Sequence, residues 1–149
     1  GGDPERLFIS GSSAGGHLVA MALAHDYSAD GLPRDIIKGA LSITGVHRLE
    51  PVLRIPPNDD IRLDAAMAAR NTTFDKPPAV RCPVIVAVGG DEPDEWIRMS
   101  VDYDTMLREQ GIPGELMILA GTHHYSVTQT LADRESRMSR ALLAMMGLA

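Results

Sequence analysis

Ile9-Ser10-Gly11-Ser12-Ser13-Ala14-Gly15-Gly16-His17-Leu18 decides how the rest of the chain is read. Leu7-Phe8-Ile9 is a short apolar run of strand character, and Leu18 to Ala24 is an Ala/Leu/Met/Val stretch of helical character. Strand, Gly-x-Ser-x-Gly, helix is the context a nucleophile elbow requires. The plainer reading is a glycine-rich turn that only packs a helix on a strand; the flanking elements favour the elbow. A serine lifted on so sharp a turn sits in a strained backbone conformation, and flanking glycines remove side chains that would clash there. Ser13 is the central serine and Ser12 the variable position. The Ala14 N–H falls at a helix N-terminus, where it can face a developing oxyanion. Two other glycine-rich readings fail. No Lys-Ser/Thr follows the loop, so it is not a P-loop. Glycines at 11, 15 and 16 do not fit G-x-G-x-x-G, so it is not a dinucleotide fingerprint.

Composition narrows the function classes. The 149 residues are 44% hydrophobic, one domain's worth and enough for a real core. With a net charge of -6 and no Lys/Arg run, nucleic-acid binding is disfavoured. Aromatic content of 4% argues against a base-stacking surface. The single cysteine excludes an internal disulfide. No apolar stretch reaches membrane-span length and no signal-peptide pattern opens the chain, so a soluble cytoplasmic protein is expected.

Along the chain, Arg6–Ser10 reads as the strand entering the elbow and Ala14–His25 as its helix. His17 lies one turn into that helix and reads as a packing or hydrogen-bonded support, because a helix residue there points away from Ser13 Oγ. His25-Asp26 reads as a polar helix terminus. Ile36–Ile43 is a second buried strand. Residues 46–78 are Pro-rich and irregular, with a short helix expected over Ile61–Arg70; a segment of this length beside a sheet often caps a site. Val84–Val88 is the clearest strand, β-branched and continuous. Cys82 at its entrance reads as an inert packed thiol. A helix follows from about Glu95 to Glu109, a fourth strand over Glu115–Leu119, and mostly helix over Ser126–Met146. Leu131, Met138, Leu142 and Met145 in that last segment form a core stripe. Strands alternating with helices predict an α/β fold, a parallel sheet with helices on both faces.

In such sheets chemistry gathers at the carboxyl ends of strands. Three loops there are chemically rich: Ser13; the acidic cluster Asp91, Glu92 and Asp94; and His123-His124. A serine hydroxyl needs an adjacent base, and the base needs an acid to hold its tautomer. Nucleophile, acid, histidine is the chain order of α/β-hydrolases. The bland reading of the acidic cluster is a solvated helix N-terminus, which the macrodipole favours. A metal site from His123, His124 and these carboxylates would leave Ser13 without a role.

Five stretches carry a resemblance beyond the triad order. They are Gly11-Ser12-Ser13-Ala14-Gly15-Gly16-His17-Leu18, Ile37-Lys38-Gly39-Ala40-Leu41-Ser42-Ile43-Thr44-Gly45-Val46, and Leu49-Glu50-Pro51. The others are Val88-Gly89-Gly90-Asp91-Glu92 with Glu95-Trp96-Ile97-Arg98-Met99-Ser100, and His123-His124-Tyr125-Ser126. Together they resemble the kynurenine formamidase (arylformamidase) and carboxylesterase branch of the α/β-hydrolases, nearly end to end. The resemblance implies a Ser-acid-His hydrolase acting on a small ester or N-formyl amide, with no cofactor and no metal. It implies Ser13 as nucleophile, His124 as base because it precedes aromatic Tyr125, with His123 as the alternative, and Glu92 as acid, with Asp91 and then Asp94 as alternatives. Ala14 is the implied oxyanion donor, and Trp96 and Tyr125 line an aryl pocket or pack in the core.

One departure stands out. The family carries His-Gly-Gly-type residues on a loop well before the nucleophile, and nothing in residues 1–12 matches them. The sequence therefore reads as the carboxyl-terminal half of a longer hydrolase, with roughly a hundred further residues expected ahead of Gly1. On that reading, residues 1–149 alone leave an edge strand uncovered and the oxyanion hole half built. The expected partners are a small ester or formamide substrate and the missing half of the same fold. A homodimer is compatible with the sequence; nucleic acid and membrane are not expected.

Overall fold

The structure is a computed structural model that describes residues 2–149. Its centre is a four-stranded sheet of β1 (Leu7–Ser12), β2 (Ile37–Ile43), β3 (Val84–Gly89) and β4 (Gly114–Leu119), in the order β1-β2-β3-β4. All three pairings are parallel, as the alternation of strands and helices predicts. The helices are α1 (Ala14–Ala24), α2 (Asn58–Ile61), α3 (Ala65–Asn71), α4 (Asp94–Glu109), α5 (Ser126–Gln129) and α6 (Arg137–Met145).

Alternation along the strands, reset once by an irregularity in β2 where Leu7 pairs with Ile37 and Phe8 with Gly39, sorts the side chains onto two faces. Ile37, Ala40, Val84 and Val86 meet Val19 and Leu23 of α1 and Tyr103 and Leu107 of α4. On the other face Leu41, Ile43, Ile85, Ala87 and Met117 meet Val127 of α5 and Met138 of α6, with Leu131, Leu142 and Met145 packed against them. Helices thus cover both faces. The central strands β2 and β3 are almost wholly buried, while β1, with partners only on the β2 side, is half-exposed at the edge. Burying each large apolar side chain contributes about 1.5–3 kcal/mol, so β2 and β3 carry most of the stability of the sheet.

Three expected boundaries move. β1 runs on to Ser12 because Gly11 and Ser12 stay paired with Ser42 and Ile43, so the ladder holds the backbone that glycine would otherwise free. The single helix expected over Ile61–Arg70 is two short ones. Arg62 adopts a left-handed conformation (φ 57°) that ends α2, and the Asp64 side chain accepts from Met67 N at 2.7 Å to start α3. The helix expected over Ser126–Met146 breaks after a 3-10 turn at Thr130–Ala132, and Ser136 caps the restart by accepting from Ser139 N at 3.1 Å.

Residues 46–78 are fastened to the body at several points. Ala79 N and Val80 N both donate to Leu23 O, at 2.9 and 3.0 Å. The Arg48 guanidinium lies 4.2 Å above the Phe74 ring and 3.3 Å from Asp102 of α4. His47 is fully buried, stacked on Tyr103 with centroids 3.8 Å apart. Its ring nitrogens face the hydroxyls of Ser42 (3.4 Å) and Thr73 (3.3 Å). Burial, with a smaller contribution from His17, pushes its pKa down to about 3. No helix among the described residues is long and apolar enough to cross a membrane.

Candidate active site

The parallel sheet brings the carboxyl ends of all four strands to one rim, and the loops that follow β1, β3 and β4 build the site there. Ser13 stands between β1 and α1 with φ 57° and ψ -117°, a backbone conformation strongly disfavoured for an L-residue. The surroundings hold it there. Ser13 N donates to Ile43 O at 2.9 Å, and Ser13 O accepts from His17 N at 3.1 Å. A side chain at Gly11 would place its Cβ 2.3 Å from Gly15 O, and one at Gly16 would come within 2.8 Å of Gly45 Cα. These glycines are what lets the strand turn straight into the helix. Ser13 occupies the N-cap of α1, yet its hydroxyl makes no capping hydrogen bond. The Ala14 N–H that follows belongs to the first turn of α1, where backbone donors lack intrahelical partners.

Of the acidic cluster, Asp91 and Asp94 are exposed, whereas the Glu92 side chain is only 1% exposed. Glu92 Oε1 accepts from Gly89 N at 2.9 Å, which fixes the carboxylate at the end of β3. Its Oε2 accepts from His124 Nδ1 at 2.7 Å. With Nδ1–H bound to a carboxylate, the lone pair of the neutral imidazole is on Nε2, the nitrogen left to accept a proton. Asp91 N donates to Thr122 O at 2.9 Å, so the β3 and β4 loops are joined through backbone as well. His123 is exposed, and its Nδ1 accepts from Tyr125 N (3.3 Å) and Ser126 N (3.4 Å) at the start of α5.

Two aromatic rings frame His124. Trp96 and Tyr125 each stand edge-on to the imidazole, with centroids 5.5 Å away and planes at 89° and 90°. With Glu92, Pro93 and His124 they line a cavity of about 230 Å³. Trp96 has a second task, since its Nε1–H donates to Thr44 O at 3.2 Å. Thr44, at the end of β2, has φ 46°, unusual for a β-branched residue, and its buried hydroxyl has no partner. Nothing in the sequence marks Thr44, because the glycine that would advertise a left-handed position is its neighbour Gly45.

Among the described residues no hydrogen bond joins Ser13 Oγ to His124. The Glu92–His124 contact is formed; the serine link is not. His17, one turn into α1, donates from Nε2 to Asn71 O at 2.8 Å and so holds α3 rather than facing the site. His25 pairs with Asp30 at 2.5 Å, and Asp26 caps the turn that follows. Cys82 is buried, and burial pushes its thiol pKa up to about 11, away from the reactive thiolate. No group of three or more His, Cys, Asp or Glu side chains among the described residues is placed to hold a metal ion.

No model of a protein family matches the chain. Kynurenine formamidase of Salmo salar is 31% identical over 95% of this chain and 50% of its own length. The chain spans about half the length of the curated relatives it matches. Among solved structures, a candidate thioesterase of Silicibacter sp. TM1040 superposes with a TM-score of 0.70 at 28% identity, over 88% of this chain and 48% of that one. An acetyl ester-xyloside bifunctional hydrolase of Caldicellulosiruptor lactoaceticus superposes with a TM-score of 0.74 at 18% identity, over 98% of this chain and 58% of that one. The chain carries the α/β-hydrolase fold, in part, and is similar in sequence to the kynurenine formamidases.

Proposed function

We propose that the chain carries the catalytic serine, acid and base of a hydrolase that cleaves a small ester or N-formyl arylamide through an acyl-enzyme on Ser13. The observation that carries this reading is the buried Glu92 carboxylate 2.7 Å from His124 Nδ1, on the rim that also bears Ser13 in its strained turn. Ser13 Oγ attacks the substrate carbonyl while His124 Nε2 takes its proton. Glu92 holds the imidazole in the tautomer that accepts and stabilises the imidazolium that results. The Ala14 N–H faces the oxyanion of the tetrahedral intermediate. His124 then returns the proton to the leaving alcohol or arylamine. Water, activated by the same histidine, releases the acyl group. The unformed Ser13–His124 bond fits a site that tightens when substrate binds, since catalytic hydrogen bonds are often long in the free enzyme.

The name of the curated relatives supports a formamidase, and the aromatic walls of the cavity suit an aryl leaving group: Trp96 and Tyr125 offer edges and faces beside the base. The esterase fold neighbours favour a broader short-chain carboxylesterase as the second reading. Intact-mass analysis after fluorophosphonate treatment, beside Ser13→Ala, tests the mechanism without knowledge of the substrate. One adduct, absent in the variant, is expected. An unlabelled, demonstrably folded chain whose longer parent also stays unlabelled would sink the reading. Turnover of N-formylkynurenine against p-nitrophenyl acetate then separates formamidase from general esterase.

A further inference from the structure

Ser13 and His124 come from opposite edges of the sheet. Ser13 follows β1 and His124 follows β4, with β2 and β3 between them. Strands about 4.8 Å apart put the two edges roughly 14 Å from one another, so the approach of nucleophile and base depends on how the loops above the rim are drawn together. Among the described residues β1 and β4 are both edge strands, each paired on one side only, so no ladder hydrogen bond joins the strand before Ser13 to the strand before His124.

One side-chain contact crosses this gap. Ser12 Oγ and Thr128 Oγ1 share a part-buried hydrogen bond at 3.0 Å, 116 residues apart in sequence. Ser12 immediately precedes the nucleophile. Thr128 lies in α5, which is continuous with the histidine loop: Val127 N donates to His123 O at 3.0 Å, and His123 N donates to Ser126 Oγ at 2.9 Å. Val127 is fully buried among the side chains of β2, β3 and β4. A helix of four residues has no stability of its own. Its position comes from that buried valine and from what it grips on either side.

We propose that Ser12 and Thr128 are positioning residues, a hydroxyl tie that sets the nucleophile's strand against the histidine loop. The proposal deepens the serine-hydrolase reading and rests on it. Successive strand side chains point to opposite faces, so the residue before the nucleophile is free to reach toward α5 while Ser13 takes the turn. The tie gives the variable position of Gly-x-Ser-x-Gly a task in this chain.

Thr128→Val keeps the shape of the side chain and removes its hydroxyl; Thr128→Ser keeps the hydroxyl. The rate at which a fluorophosphonate labels Ser13 is expected to fall about tenfold in Thr128→Val and in Ser12→Ala, because sub-ångström misplacement of reacting groups is enough for that. The double variant is expected to label no more slowly than either single one, since both remove the same contact. Thr128→Ser is expected to label like the wild type. Amide hydrogen exchange over residues 121–129 is expected to quicken in Thr128→Val and not in Thr128→Ser. Wild-type labelling rates in both hydroxyl-deleted variants, or additive losses in the double variant, overturn the tie. If neither the wild-type chain nor its longer parent labels, it is the hydrolase reading that fails. The exchange measurement then decides the tie alone, and unchanged protection in Thr128→Val overturns it.

Discussion

Glu92 and His124 meet at 2.7 Å although they lie 32 residues apart, because β3 and β4 are parallel neighbours and each ends in a loop that turns toward the other. The carboxylate is anchored from behind by Gly89 N, and the two loops are joined by the Asp91 N–Thr122 O bond. The contact is therefore held by backbone on both sides and does not depend on two free side chains finding each other.

Glu92→Gln should lower the rate of Ser13 labelling by about 10³- to 10⁴-fold, the scale seen when a triad acid becomes an amide and the histidine loses its tautomer. Asp91→Asn and Asp94→Asn, which replace exposed side chains, should label like the wild type. Second-order labelling rates of the three variants check this. A larger loss in Asp91→Asn than in Glu92→Gln would reassign the acid.

The glycines around Ser13 are not equivalent. At Gly11 a Cβ would sit 2.3 Å from Gly15 O, a clash with backbone that no rotamer relieves. Gly11→Ala should cost about 3 kcal/mol and displace the elbow. At Gly15 a Cβ meets nothing within 4 Å. In the first turn of α1, Gly15→Ala should be neutral or stabilising by up to about 1 kcal/mol. Urea denaturation of both variants reads the difference, and equal losses would contradict the geometry.

Trp96 links β2 to the histidine pocket by its bond to Thr44 O. Trp96→Phe keeps a ring beside His124 but removes the donor, and should cost about 1 kcal/mol. Trp96→Ala also removes a wall of the cavity. In the active enzyme it should depress kcat/KM for N-formylkynurenine more than for p-nitrophenyl acetate. Equal losses on both substrates would place the aryl group elsewhere.

His47 should make the fold acid-sensitive. Its folded pKa is depressed to about 3 from an ordinary 6.5, so the unfolded chain binds a proton that the folded chain refuses between those values. Stability is fully present above pH 6.5 and falls as the pH drops toward 3, by up to about 1.4 kcal/mol per pH unit for one proton. His47→Phe, which keeps a ring against Tyr103 and cannot titrate, should flatten this acid limb. Denaturant midpoints from pH 7 to pH 4 test it, and parallel curves for both proteins would remove His47 as a cause.

Much of this molecule is legible in its residues. Val84–Val88 declares a doubly buried strand by β-branched continuity, and Gly11, Ser13 and Gly15 declare a turn by spacing alone. These are local signals: steric limits on φ and ψ, and the burial demand of an apolar run, act within a few residues of sequence. Of the boundaries that moved, one answers to a distant strand and the others to backbone conformation and caps only a few residues away. Pairing with Ser42 and Ile43 carried β1 through Gly11, and the left-handed Arg62 divided a run that composition alone reads as one helix.

The sequence by itself determined the order of the elements, the elbow, and the three loops in which chemistry is concentrated. Only the tertiary structure decided which carboxylate is buried against His124, that Trp96 braces a strained Thr44, and that Ser12 reaches Thr128 across the rim. Asp91, Glu92 and Asp94 are chemically alike and nearly adjacent. What separates them is the direction in which the loop after β3 points each side chain, and that direction is set by Gly89 N close by and by Thr122 O on the loop after the neighbouring strand, whose place beside the cluster local sequence cannot locate.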